Sequence, residues 1–320
     1  VVNLTPVAEH YSVNKAALLA GKHVYCEKPL TTKMTEAEEL AALAEERGLL
    51  LSSAPATVFS RSAQTLVRAV HDGLIGTPRL AYASLDMGPL AFMAYRDWRS
   101  RRGVPWPYED EVRNGCVLEH AGYQLTWLTA MFGPVVRMSS QAVTPFSNHW
   151  AGIVDDAAPD FSLGCLRFAD GTVCRLTLGW VAPADKSLLV VGDEGVLSVE
   201  DVWQASSPVT LRRRVRTRGR DTGYLAEPEQ LPFVLPPLEH RYDDDAHDLT
   251  VAAGVADLAR AVLEGDRPLL SAEYSLHILD VSIRLATGQT LDEEIDAPSP
   301  SATRLWGDRF RHTAEAVVGR

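Results

Sequence analysis

Two short stretches hold residue types able to do proton chemistry on a polar substrate. The first is KHVYCEKPLT, residues 22–31, where the apolar run Val24-Tyr25-Cys26 meets Glu27-Lys28-Pro29. A lysine can take part in proton transfer where its pKa is lowered. Standing alone, Glu-Lys-Pro reads as a surface ion pair beside a turn proline. The second stretch is GCVLEHAGYQLTWLTAMFG, residues 115–133. At about 100° per residue on a helix, Leu118, Ala121, Leu125, Leu128 and Phe132 form one apolar stripe. His120, Gln124 and Trp127 then share a neighbouring face, with Tyr123 beside His120. An imidazole whose ordinary pKa lies near neutrality suits general-base work, and an amide can hydrogen-bond a hydroxyl. A satisfied buried histidine is the alternative for His120.

A third group is YRDWRSRRGVPWPYEDE, residues 95–111. Aromatic faces such as that of Trp106 suit the apolar faces of sugars, and its arginines suit a carboxylate or phosphate. A plain surface loop accounts for it as well. His277 and Asp160 have no supporting spacing and are read as structural. Glu119-His120 does not make a metal hydrolase, because adjacent helical side chains diverge by about 100° and no HxxxH or HxH pairing accompanies them. No metal is expected.

The elements that must carry these residues can be read from periodicity. VVNLTP is a strand stopped by Pro6, residues 7–20 a helix, and 23–26 a second strand. Thr35 and Glu38 have the spacing of a capping box, ahead of a helix with Ala37, Leu40, Ala41 and Ala44 inward. LLLSS is a third strand. Strand–helix–strand–helix–strand with short connections predicts a parallel βαβαβ unit. After residue 56 a helix near 60–73 and strand pairs turning at Asp170-Gly171 and Asp193-Glu194-Gly195 predict an antiparallel sheet. Residues 204–244 read as a long surface excursion. Late helices carry Val255, Leu258, Ala259 and Val262, then Leu276, Leu279 and Ile283. The fold class is α/β plus α+β: residues 1–55 a partial Rossmann unit, and 56–320 an open, mainly antiparallel sheet domain with helices on one face.

The formal charge of −11 over 320 residues argues against a nucleic-acid partner. The basic run LRRRVRTRGR, residues 211–220, reads as a solvated strand or loop face. No apolar run approaches the roughly 18 residues of a membrane span. Without a secretory signal, a cytoplasmic protein is expected. Cys26, Cys116, Cys165 and Cys174 lack CxxC spacing and are expected to be buried thiols.

The pattern TPVAEHYSVNKAALLAGKHVYCEKPLT resembles the Rossmann domain of the Gfo/Idh/MocA oxidoreductases, which include glucose-fructose oxidoreductase and inositol dehydrogenase. The resemblance continues through LIGTPR and GCVLEHAGYQLTWLTAMFG into the hairpins and late helices. It implies hydride transfer between NAD or NADP and a hydroxyl-bearing carbon of a sugar, cyclitol or related polyol. It also implies a homodimer or homotetramer. Thr5, Pro6, His10, Glu27, Lys28 and Pro29 would then line the cofactor, with the bond before Pro29 often cis. Lys28 and His120 would be catalytic, and Tyr123, Gln124 and Trp106 would bind substrate. Relatives usually show Asp-x-Gly-x-His where this sequence has EHAGYQ. His120 is matched to the aspartate and Gln124 to the histidine, so proton transfer has either moved to His120 or is absent.

No G-x-G-x-x-G follows a strand near the start, and the chain opens on Val1 at what would be a fourth Rossmann strand. The expectation is a fragment lacking the first βαβαβ half. The alternative is a truncated, non-catalytic relative serving as a sugar-binding or dimerising module.

Overall fold

A computed structural model describes residues 1–100, 102–146, 156–236 and 250–291. The N-terminal unit is a parallel sheet of β1 (Val2–Asn3), β2 (Val24–Cys26) and β3 (Leu51–Ser53), in that order. Its connections are α1 (His10–Leu19) and α2 (Met34–Glu46). β2 and β3 are buried along their whole length, as expected of parallel strands covered on both faces. Ala37, Leu40 and Ala44 turn inward from α2 as their spacing predicts. The expected capping box does not form. The helix begins a residue before Thr35, with Lys33 at the cap and no side-chain cap bond.

The second unit starts with α3 (Arg61–His71), capped by Ser60, whose hydroxyl accepts from the Ala63 amide at 3.1 Å. A large sheet follows. Its strands are β4 (Pro78–Asp86), β5 (Val135–Val143), β6 (Phe161–Phe168), β7 (Val173–Gly179), β8 (Leu188–Gly192) and β9 (Gly195–Val199). To these are added β10 (Val209–Thr217), β11 (Arg220–Leu225), β12 (Glu229–Gln230) and β13 (Thr290–Leu291). The order is β11-β10-β9-β8-β4-β7-β6-β5-β13, with β12 also on β10. Every neighbouring pair is antiparallel except β4–β7. Both predicted hairpins are present, as β6–β7 and β8–β9. The expected surface excursion is corrected as far as residue 236: its strands β10–β12 extend the sheet, and residues 237–244 lie outside those described.

Three helices cover the sheet or join the units: α4 (Tyr108–Phe132), α5 (Val251–Glu264) and α6 (Ala272–Thr287). On α4 the stripe Ala121, Leu125, Leu128 and Phe132 is buried against residues such as Leu166, Phe168 and Leu176 of the sheet. On α5 the buried face is Gly254, Leu258 and Ala261, rotated from the expected 255/258/259/262 stripe. The cause is a close approach to β2, for a Cβ on Gly254 would overlap the Tyr25 ring. Helix α6 ties the two units together: Leu279 joins the core of the parallel sheet, while Val281 and Leu285 join the larger core. His277 is structural as expected, its Nε2 accepting from the Val135 amide at 3.0 Å.

Cys26, Cys116 and Cys174 are buried free thiols, whereas Cys165 is exposed, which corrects its expected burial. It stands on the outward-facing register of β6. Among the described residues no helix is long and apolar enough to cross a membrane, and no group of three or more His, Cys, Asp or Glu could hold a metal ion.

Candidate active site

Lys28 lies in the turn after β2, at the carboxyl end of the parallel sheet, where open α/β sheets bind ligands. The turn is held from below by His10, which is 1% exposed. His10 Nδ1 lies 2.7 Å from the Pro29 carbonyl oxygen and Nε2 lies 3.0 Å from that of Thr5. Thr5 in turn donates its hydroxyl to Asn3 Oδ1 at 2.7 Å, and Asn3 donates to Asn14 at 2.8 Å. His10, placed at the cofactor by the resemblance, thus spends both ring nitrogens on backbone. Of the other residues expected at the cofactor, Thr5, Pro6 and Glu27 are exposed or half-buried. The Lys28–Pro29 bond is cis. His10→Ala is expected to remove the ring's hydrogen bond to this backbone and to cost about 1–3 kcal/mol. Urea unfolding measures it, and an unchanged midpoint would show that His10 does not brace this turn.

The Lys28 ammonium donates to Glu119 Oε2 on α4 and pairs with it as an ion. Lys28 is 20% exposed and Glu119 only 4%. Burial is the largest influence and works to lower the Lys28 pKa, but the Glu119 charge together with Tyr123, Glu111 and the Glu119 hydrogen bond outweighs it, and the net direction is up. For Glu119, burial works upward, yet Lys28 and then a bond with Glu111 hold the carboxyl below its usual range. Lys28 is therefore an ammonium and not a lowered-pKa base. Tyr123 lies one helical turn beyond Glu119, on the same face of α4. Burial pushes its phenol up to about 12, with Lys28 pulling the other way. The ring packs on Trp203 at 5.2 Å and lines a 260 Å³ cleft with Tyr25, Glu27, Pro55 and Thr57. A second cleft of 430 Å³ runs between Lys28, Pro29, Pro55, Glu119, Gly122 and Tyr274.

The side chain that meets Lys28 is thus that of Glu119, one residue before the matched His120, and Tyr123 shares its face of α4. Gln124 is fully buried, and its amide donates to the Ser84 and Ser187 carbonyls at 2.7 and 3.1 Å. It pins α4 to β4 and does not reach the cleft at Lys28, which corrects its expected substrate contact. Trp127 is likewise core, its Nε1 donating to Thr57 Oγ1 at 3.2 Å. His120 packs edge-on against Trp180 and Trp203, at 5.8 and 5.6 Å. Burial, and then the Lys28 charge, depress its pKa to about 3. That corrects the expectation of an imidazole titrating near neutrality, because this His120 is too weak a base at that pH. Trp106 is half-buried in an aromatic cluster, 5.1 Å from Trp98 and 6.4 Å from Tyr95.

Glu119 and Glu111 were missed as site residues by sequence reasoning. Glu119 had a readable signal, since it lies four residues before Tyr123 and shares its helix face. Glu111 had none.

A partial Rossmann unit with a Glu-Lys-Pro turn, facing a helix laid on an open sheet, defines a nicotinamide-dependent oxidoreductase architecture. Residues 1–54 match the family described as "Oxidoreductase family, NAD-binding Rossmann fold", and residues 63–198 match the GFO/IDH/MocA C-terminal domain. The chain belongs to the GFO/IDH/MocA family, a family of NAD(P)-dependent sugar oxidoreductases. It is 34% identical to a dTDP-3,4-didehydro-2,6-dideoxy-alpha-D-glucose 3-reductase of Streptomyces violaceoruber, over 80% of this chain and 65% of that protein. The enzyme of the same name from Streptomyces antibioticus is 33% identical, over 81% of this chain and 68% of that protein. Among solved structures, an aldose-aldose oxidoreductase from Caulobacter crescentus complexed with glycerol aligns with a TM-score of 0.67 at 19% identity, covering 89% of this chain and 76% of that one. A 3-ketoreductase from Actinomadura kijaniata solved with NADP aligns with a TM-score of 0.64 at 22% identity, covering 90% and 77%. These two similarities show the shared fold.

Proposed function

We propose that the protein containing this chain moves hydride between NAD or NADP and a carbinol carbon of a sugar, acting as a keto-sugar reductase or its reverse. The observation that carries the reading is the Lys28 ammonium, fixed by buried Glu119 with Tyr123 one turn away. An ammonium and a phenol are the two donors a developing alkoxide needs. The Streptomyces relatives, named as sugar 3-reductases, support a keto sugar as the substrate class.

The residues present fit the nicotinamide end of a dinucleotide. The turns after β1 and β2, at Thr5-Pro6 and Glu27-Lys28-Pro29, stand side by side at the carboxyl edge of the sheet. The bound nicotinamide would supply or accept the hydride. Lys28 orients and polarises the substrate oxygen. Tyr123 donates a hydrogen bond to the same oxygen, and its high pKa keeps it protonated at neutral pH. Glu119 holds Lys28 in place and charged.

The test is turnover by the gene product expressed from its natural start codon. NADH and NADPH are each offered with a panel of keto sugars, free and nucleotide-linked. Oxidation of either cofactor that depends on a keto sugar supports the reading. Saturable sugar binding with no cofactor oxidation would instead favour a non-catalytic binding module.

A further inference from the structure

We propose that Glu111 is the solvent-side end of a proton relay that serves Lys28 through Glu119. The inference rests on the reductase reading above and adds a residue to it. In an unbroken helix two residues eight positions apart are separated by about 12 Å along the axis, too far for their carboxyls to meet. Helix α4 is broken at Gly115, which has φ 79° and ψ 162°. A Cβ there would lie 2.5 Å from that of Ala158, so the packed chain at 158–159 requires glycine at the break. The redirected first segment brings Glu111 alongside Glu119. A protonated Glu111 can then donate to the Glu119 carboxyl. The result is a continuous series: Lys28, Glu119, Glu111. Glu119 in the middle is buried, and Lys28 and Glu111 at the two ends are half-buried.

The groups facing Glu111 are Glu119, Lys28, Asp110 and Tyr123. Burial first, and then Glu119, push its carboxyl well above the ordinary range, toward about 9, so the pair shares one proton at neutral pH. In the reductive direction a bound nicotinamide would supply the hydride to the substrate carbonyl carbon. As the C=O π bond breaks, the oxygen takes a proton from the Lys28 ammonium, directly or through the Tyr123 hydroxyl. The neutral amine recovers a proton from the carboxyl pair, and Glu111 recovers one from water. Oxidation runs the same path backwards.

Glu111→Gln keeps a donor to Glu119 but cannot pass a proton. In the full gene product it is expected to lower kcat about tenfold or more, with KM unchanged. Added imidazole buffer, a small exchangeable acid, should restore most of the loss, and Glu111→Asp should retain most activity. A readout independent of turnover is carboxyl-carbon NMR. The wild type should show a glutamate titrating above pH 7 that Glu111→Gln lacks. The raised folded-state pKa means that the native state binds one more proton than the unfolded chain between about pH 4.3 and the raised value. This group's contribution to stability therefore falls as pH rises through that window, and Glu111→Gln should remove that slope. Wild-type kcat in the variant, or a loss that imidazole does not restore, would overturn the relay while leaving the reductase reading intact. Absence of keto-sugar turnover in the wild type would overturn both.

Discussion

Lys28→Met in the full gene product is expected to lower kcat for keto-sugar reduction by about 10²–10⁴-fold, the usual range for losing a positioned acid or polarising group. Methionine keeps much of the stem that packs beside Pro29 and removes the charge that meets Glu119. The fold should survive, because the carboxyl left behind is not stranded as a bare anion. Burial already works to raise the Glu119 pKa, and Glu111 beside it can share a proton. Steady-state kinetics beside a urea unfolding curve separates the two effects. Turnover within twofold of wild type would remove Lys28 from the mechanism. A collapse of stability matching the loss of turnover would make the ion pair a structural brace instead.

Trp127→Ala is expected to destabilise the protein by about 3–5 kcal/mol, the range for emptying a large core site. Trp127 is fully buried and fastens α4 to the 57–59 turn through Thr57. Its loss leaves both a cavity and an unpaired hydroxyl in the wall behind the cleft. Urea unfolding gives the value directly. A loss below about 1 kcal/mol, accompanied by a raised KM for sugar, would return Trp127 to the substrate-facing role that helical spacing with His120 and Gln124 suggested.

The contrast between these positions shows what the sequence made legible. Parallel strands with β-branched and apolar runs, and hairpins marked by Asp-Gly and Asp-Glu-Gly, depend on local chemistry and appear where expected. So does the Glu-Lys-Pro turn at the sheet's carboxyl edge. Periodicity also identified the buried stripe of α4. It could not say which flank of that stripe meets Lys28, because neighbouring registers differ by only about 100° around the axis. Matching Gly122 to the family's glycine chose His120 and Gln124. The fold presents Glu119 and Tyr123, because Gln124 is drawn to two strand carbonyls at 84 and 187. Glu111 was illegible for a different reason. Its approach to Glu119 depends on a helix break at Gly115 that is packed against Ala158, a contact distant in sequence. The start of α2 and the burial of Cys165 were misread for smaller reasons: a cap motif that tertiary context did not use, and a strand face left open to solvent.

Isotope transfer tests the central claim most directly. The full gene product is incubated with NADPH or NADH deuterated at the transferable C4 position and a nucleotide-linked 3-keto sugar, and the product is read by mass spectrometry and NMR. The account predicts one deuterium at the new carbinol carbon, formed by the wild type and lost with Lys28→Met. A reduced sugar without the label, or no product with either cofactor across the keto-sugar panel, would contradict it.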